Sequence, residues 1–151
     1  MSDKEFDPNS PAVTTTLNCA AGIINRLAGN SNVCKTLSIT LAAAIIGFAT
    51  VPAWWRYLMV MAAVIVLMLL DSLFIGLKKR TELKTKKIIE SSKTGYQNPY
   101  DIFYQSDPDD NNFSAIIRGL RSSAVWPFYL VIILCLITGM CIECHLCLCI
   151  K

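Results

Sequence analysis

Histidine is nearly absent from this chain: His145 is the only one, and it lies close to the C-terminal end. A Ser-His-Asp or Cys-His arrangement therefore has nothing to build on. Nor does the chain carry an HExxH helix or a glycine-rich phosphate loop. The acidic run Asp107-Pro108-Asp109-Asp110-Asn111-Asn112 lacks the glycine and distal glutamate of an EF-hand loop and reads as a solvated loop. Charge is also scarce, at 17% of residues against about 25% in ordinary soluble domains. A net charge of +3 is too weak to suggest nucleic-acid binding. The opening fifteen residues, MSDKEFDPNSPAVTT, are polar and acidic where a secretory signal needs a basic start and an apolar core. An enzyme is the least expected class, and no cofactor or metal is implied.

What the chain has is apolar length. Leu58 to Leu77 is a run of twenty positions with one charge, Asp71, and it stops at Lys78-Lys79-Arg80. As an α-helix it covers about 30 Å, the thickness of a bilayer's hydrocarbon core. The expected fold is an all-α integral membrane helical bundle, with three transmembrane helices plus a short N-terminal amphipathic helix. Residues 1–15 read as a disordered tail. Residues 16–30 place Leu17, Ala21, Ile24 and Leu27 or Ala28 on one face, with Thr16 as cap and Gly29-Asn30 as stop. A transmembrane hairpin follows over 33–77. Its first arm is capped by Ser31 or Asn32 and closed by Pro52, and Trp54-Trp55-Arg56-Tyr57 form an aromatic turn at the membrane–water interface.

Residues 78–122 are the sizeable polar section: a helical extension, a loop, and a short amphipathic stretch over 113–122 expected to lie on the membrane. Residues 124–151 form the third span with a Cys-rich end, Pro127 being tolerated in its first turn. The 78–122 section holds nine Lys and Arg, among them Lys78, Lys79, Arg80, Lys84, Lys86 and Lys87, whereas the 52–57 turn holds only Arg56. The positive-inside rule then places the polar section and the N-terminus in the cytoplasm and the C-terminus outside a cell (inner) membrane. The same basic residues can touch anionic lipid, although orienting charge is the simpler reading. Trp54, Trp55, Arg56, Tyr57 and Trp126 are the expected interface anchors.

Asp71 is the candidate site residue. Acidic groups inside membrane helices are costly and mark ion paths, proton relays or interhelical pairing. It lies seven positions before Lys78, about 10 Å from the end of the run. A headgroup-level ion pair with Lys78 or Arg121 is therefore the simplest reading, and an ion-pathway or assembly role the sharper one. Cys141, Cys144 and His145 match the C-x-x-C-H pattern of haem attachment, but little chain follows to wrap a haem. With Cys147 and Cys149 they could ligate zinc, yet they crowd into nine residues where structural zinc usually joins two distant pairs. Disulfides or apolar filling suit them better, and Cys19, Cys34 and Cys135 read as inert packing.

Leu70-Asp71-Ser72-Leu73-Phe74 followed by Lys78-Lys79-Arg80, and the later Arg121-Ser122-Ser123-Ala124-Val125-Trp126-Pro127-Phe128-Tyr129, resemble a recurring pattern in small bacterial membrane proteins. Several of these belong to the SLATT-like class of two-to-four-span effectors, encoded beside conflict and phage-defence systems. The resemblance covers about residues 70–130. Gly76 and Leu77 stand where that pattern has polar residues, and Lys78-Lys79 replaces a glutamate–arginine pair. The resemblance implies a sensor-released, membrane-permeabilising effector.

The functional expectation is an oligomeric pore-forming or membrane-perturbing effector, assembling through small residues such as Ala42, Ala43, Gly47 and Gly139. The alternatives are an accessory anchoring or regulatory subunit of a larger complex, or a small proton-coupled transporter using Asp71. The expected partners are the lipid bilayer, further copies of the chain and a cytoplasmic protein bound through 78–122.

Overall fold

The computed structural model describes residues 11–47, 53–94 and 111–149. It is all-α, with four helices: α1 (Pro11–Gly47), α2 (Ala53–Thr94), α3 (Asn112–Leu120) and α4 (Trp126–Cys149). Helices of 37 and 42 residues make α1 and α2 about 55 and 63 Å long, far more than a bilayer needs.

The N-terminal amphipathic helix and the first arm of the expected hairpin are one helix. Pro11 opens α1 where its missing N–H costs nothing, and the chain runs helically through Gly29, Asn30 and Ser31. Packing explains the continuity. The buried or half-buried positions Val13, Ala20, Leu27 and Cys34 recur every seven residues, and so do Ile24, Ser31 and Ser38. Together they make one 3–4-spaced seam that passes straight across Gly29. Breaking the helix there would forfeit half of that seam, which outweighs the roughly 1 kcal/mol that a mid-helix glycine costs. Hydroxyls that tempt a helix to end instead bond back one turn, from Thr36 to the Asn32 carbonyl at 3.0 Å and from Ser38 to the Cys34 carbonyl at 2.8 Å.

α2 answers with its own seam, Tyr57, Val64, Asp71 and Lys78 at seven-residue intervals, with Ile75 and Ile88 also buried. The Lys35–Asp71 contact and the groove that Ala42 shares with Tyr57 make α1 and α2 antiparallel. The expected interfacial turn is corrected in part: Trp54, Trp55, Arg56 and Tyr57 stand in the first turns of α2, while Pro52 lies outside the described residues. Val125, just before α4, and Tyr129, Ile132 and Leu136 within it, again at 3–4 spacing, join the same core of Tyr57, Val64 and Ile75.

α3, within the stretch 113–122 expected to lie on the membrane, packs on α2 through small residues. A Cβ added to Gly76 would overlap the Ala115 carbonyl, and one added to Gly119 would overlap the Ser72 carbonyl. Ser72-xxx-Gly76 and Ala115-xxx-Gly119 thus cross backbone to backbone, and the order of the two contacts makes the helices antiparallel.

One helix among the described residues, over Trp55–Glu90, is long and apolar enough to cross a membrane, and a shorter apolar helix covers Trp126–Ile142. α1 has a shorter apolar stretch, Leu37 to Gly47, within the described residues. The sequence expected three spans; length and composition mark one.

Candidate functional site: a buried acidic cluster between three helices

The seven-residue spacing that buries Tyr57 and Val64 also carries Asp71 inward, and its side chain is 0% exposed. Its cation comes from α1: Lys35 Nζ lies 3.8 Å from Asp71 Oδ2, with its own side chain 22% exposed. Neither expected partner fills that place. Lys78 pairs instead with Glu82 one turn on, at 3.7 Å, and Arg121 is exposed at the end of α3. Lys35 also donates to Ser31 Oγ at 3.4 Å, a weak bond that holds the ammonium at the edge of the cluster.

Three further polar side chains lie near the pair: Ser72 is the next residue, Ser38 stands about one turn from Lys35, and Tyr129 reaches in from α4. Ser38 and Ser72 are fully buried, each spending its hydroxyl proton on a carbonyl one turn back: Cys34 for Ser38 and Met68 for Ser72, at 2.8 and 2.6 Å. Tyr129, from α4, is fully buried with its hydroxyl directed at Ser38 and Asp71. None of these approaches reaches hydrogen-bond geometry. Both Asp71 oxygens and Tyr129 Oη are buried without a hydrogen-bond partner. A buried carboxylate whose compensation among the described residues is one cation near 4 Å is an expensive arrangement, because burying the charge costs several kcal/mol. α3 and the turn after it close the cluster from the polar side, with Gly119 against Ser72 and with Ser122 and Val125 buried.

Exposure along α2 changes abruptly at Asp71. Between Leu58 and Leu70 seven positions face outward, namely Leu58, Met59, Ala62, Ile65, Val66, Leu69 and Leu70. From Asp71 to Glu82 none does, because α1 and α3 wrap the helix there. The apolar residues Leu73 to Leu77, which extend the run in sequence, are thus covered by protein. Only the part before Asp71 keeps an open apolar surface. Trp55 to Asp71 spans about 24 Å.

The remaining expected site residues separate. Trp55 and Trp126 face outward, Arg56 is half-buried, and Tyr57 is buried against Gly139 of α4, so it is a core residue rather than an outward anchor. Trp54 belongs to the α2 backbone, but its side chain lies outside the described residues. Lys78, Lys79, Arg80, Lys84, Lys86 and Lys87 all stand on the second half of α2, beyond the open apolar surface. Cys34 is buried as expected of a packing residue, whereas Cys19 and Cys135 face outward. Cys141 is a free, exposed thiol, and the side chains of Cys144, Cys147 and Cys149 lie outside the described residues, as does the Asp107–Asp110 loop. Among the described residues no group of three metal-ligating side chains is gathered.

Lys35, Ser38 and Tyr129 are the members that sequence reasoning missed. The signal for Lys35 was present: it is the one charge just before α1's apolar stretch, and it falls beside the 27/34 and 31/38 seam. An apolar groove of about 320 Å³ opens between α1 and α4 beyond the cluster, floored by Tyr57 and lined by Ala42, Ala43, Cys135, Leu136 and Gly139. No family model, curated protein or solved structure matches this chain.

Proposed function

We propose that the chain is a small multi-pass membrane protein acting as an oligomeric, membrane-perturbing effector, with the Asp71 cluster as its polar working part. The spans are the second half of α1, the first half of α2, and α4. The observation that carries the reading is the change at Asp71: an apolar surface open from Trp55 runs about 24 Å and ends at a buried, under-compensated ion pair. That length is about 17 residues, the short end of a membrane-spanning helix. A carboxylate kept in a spanning helix at that energetic cost is a functional feature by default. The other halves of α1 and α2 then project as a two-helix stalk on the cytoplasmic side, as the Lys and Arg imbalance expects.

One protomer offers an apolar groove where a pore would need a polar passage, so permeation requires assembly. The small residues Ala42, Ala43 and Gly139 in the groove suit close approach of another helix. The likeness of residues 70–130 to SLATT-like effectors, with release by a sensor acting on the stalk, supports the same reading. In this mechanism the Lys35–Asp71 pair ties α1 to α2 in the resting protomer, and its separation frees the spans to reassociate around polar side chains.

A second reading, a small proton-coupled transporter, is favoured by the unpartnered Asp71 and Tyr129 oxygens. Expression in cells with a membrane-potential dye tests the proposal. Depolarisation by this chain alone supports the effector. An inserted chain that never depolarises the membrane is an anchoring subunit, and potential that changes only with an imposed proton gradient marks a transporter.

A further inference from the structure

We propose that the C-terminal end of α3 and the first turn of α4 form a headgroup site for an anionic phospholipid, built from Arg118 and Arg121 with Trp126 alongside. This rests on the membrane reading above. The inference starts from depth. The Gly119–Ser72 contact fixes the end of α3 at the level of Asp71, and Tyr129 of α4 meets the same level. Arg118 and Arg121 flank Gly119, and Trp126 lies about 4.5 Å along α4 from Tyr129, so all three stand within about one helical turn of the plane where α2's open apolar surface ends. That plane is where a bilayer places its headgroups, and where tryptophan and arginine are at home.

Charge complementarity selects the occupant. Both arginines are exposed, and neither makes an ion pair among the described residues. Residues 111 to 125 contain no acidic side chain. Among the described residues the carboxylate at this level, Asp71, is fully buried and already faces Lys35. Two guanidinium groups three residues apart on one helix face present a paired donor set that suits a phosphate diester. Because α3 is pinned to α2 backbone to backbone, the pair is held at fixed depth, so little ordering is needed on binding.

The test uses the full chain in lipid nanodiscs, with Trp54 and Trp55 changed to Phe so that Trp126 is the sole reporter. Quenching by brominated phosphatidylglycerol is compared with quenching by brominated phosphatidylcholine at equal mole fraction. Quenching by either lipid establishes insertion at this depth. No quenching by either overturns the membrane reading itself. With insertion established, the site requires the anionic lipid to be enriched around Trp126, by about fivefold per arginine. R118Q and R121Q each lower the enrichment by about that factor, the double variant removes it, and R118K/R121K, which keeps the charge without the paired donors, restores only part of it. K86Q/K87Q, on the distal stalk, leaves it unchanged. Equal quenching by the two lipids in the parent protein overturns the site, as does loss of enrichment in K86Q/K87Q but not in R118Q/R121Q.

Discussion

Removing Lys35 should harm the protein more than removing its partner, because the two ends of the pair are buried unequally. At 3.8 Å the attraction is about 4 kcal/mol at an effective dielectric near 20. Lys35→Met leaves the Asp71 carboxyl fully buried without its cation, and breaking a buried pair in this way costs about 3–5 kcal/mol. The pair is longer than a direct hydrogen-bonded bridge, so the lower end, about 3 kcal/mol, is expected. Asp71→Asn keeps the shape and deletes the charge that burial penalises. The Lys35 ammonium, at the edge of the cluster, can then turn to water on its long stem, and about 1 kcal/mol is expected. In the double variant the lone carboxylate is gone, so its cost should fall back to about 1 kcal/mol, a coupling of about 3 kcal/mol. Reversible unfolding in mixed detergent micelles, followed by circular dichroism, measures all three. Additive losses, or an Asp71→Asn loss as large as that of Lys35→Met, would refute the buried-pair description.

Gly119→Ala forces a methyl group into the Ser72 carbonyl, so α3 must shift on α2. A loss of about 1–3 kcal/mol and faster amide exchange over 112–120 are expected, and unchanged exchange there would rule out the close crossing. Gly139→Ala brings a Cβ to 3.0 Å from the Tyr57 hydroxyl. It should cost about 1 kcal/mol or less, with Tyr57→Phe relieving it when thermal midpoints are compared. Cysteines placed at 84 and 94 should react with a membrane-impermeant maleimide only after the cytoplasmic face is opened, and one at 56 from outside. External labelling at 94 reverses the orientation. Purified protein should show no haem Soret band, and covalent haem on a denaturing gel would contradict that.

The helical class and the long apolar run of α2 are legible in composition and length alone, since few other structures bury twenty apolar residues in a row. The helix ends were less legible. Gly29-Asn30 and the hydroxyls after it form a local stop signal, and it loses to a seam that repeats every seven residues from Val13 to Cys34, a tertiary preference that no short window reports. Asp71 stood out as the lone charge in its run, yet Lys35 is 36 positions earlier, so sequence proximity pointed to Lys78 and Arg121 instead. Counting sevens from Tyr57 through Val64 would have turned Asp71 inward. The docking of α3 was written in Ser72-xxx-Gly76 and Ala115-xxx-Gly119, whose small residues matter only once the two helices are known to cross. The apolar residues Leu73 to Leu77 read as membrane span because hydropathy alone does not distinguish lipid from a protein neighbour.

The most direct test of the effector account is flux through liposomes holding only the purified chain. Wild-type protein is expected to dissipate an imposed potassium diffusion potential above a threshold protein-to-lipid ratio, while Asp71→Asn, which lacks the resting tie to Lys35, inserts equally well and dissipates it at a lower ratio. Fully inserted wild-type protein that leaves the potential intact at every ratio would contradict the account.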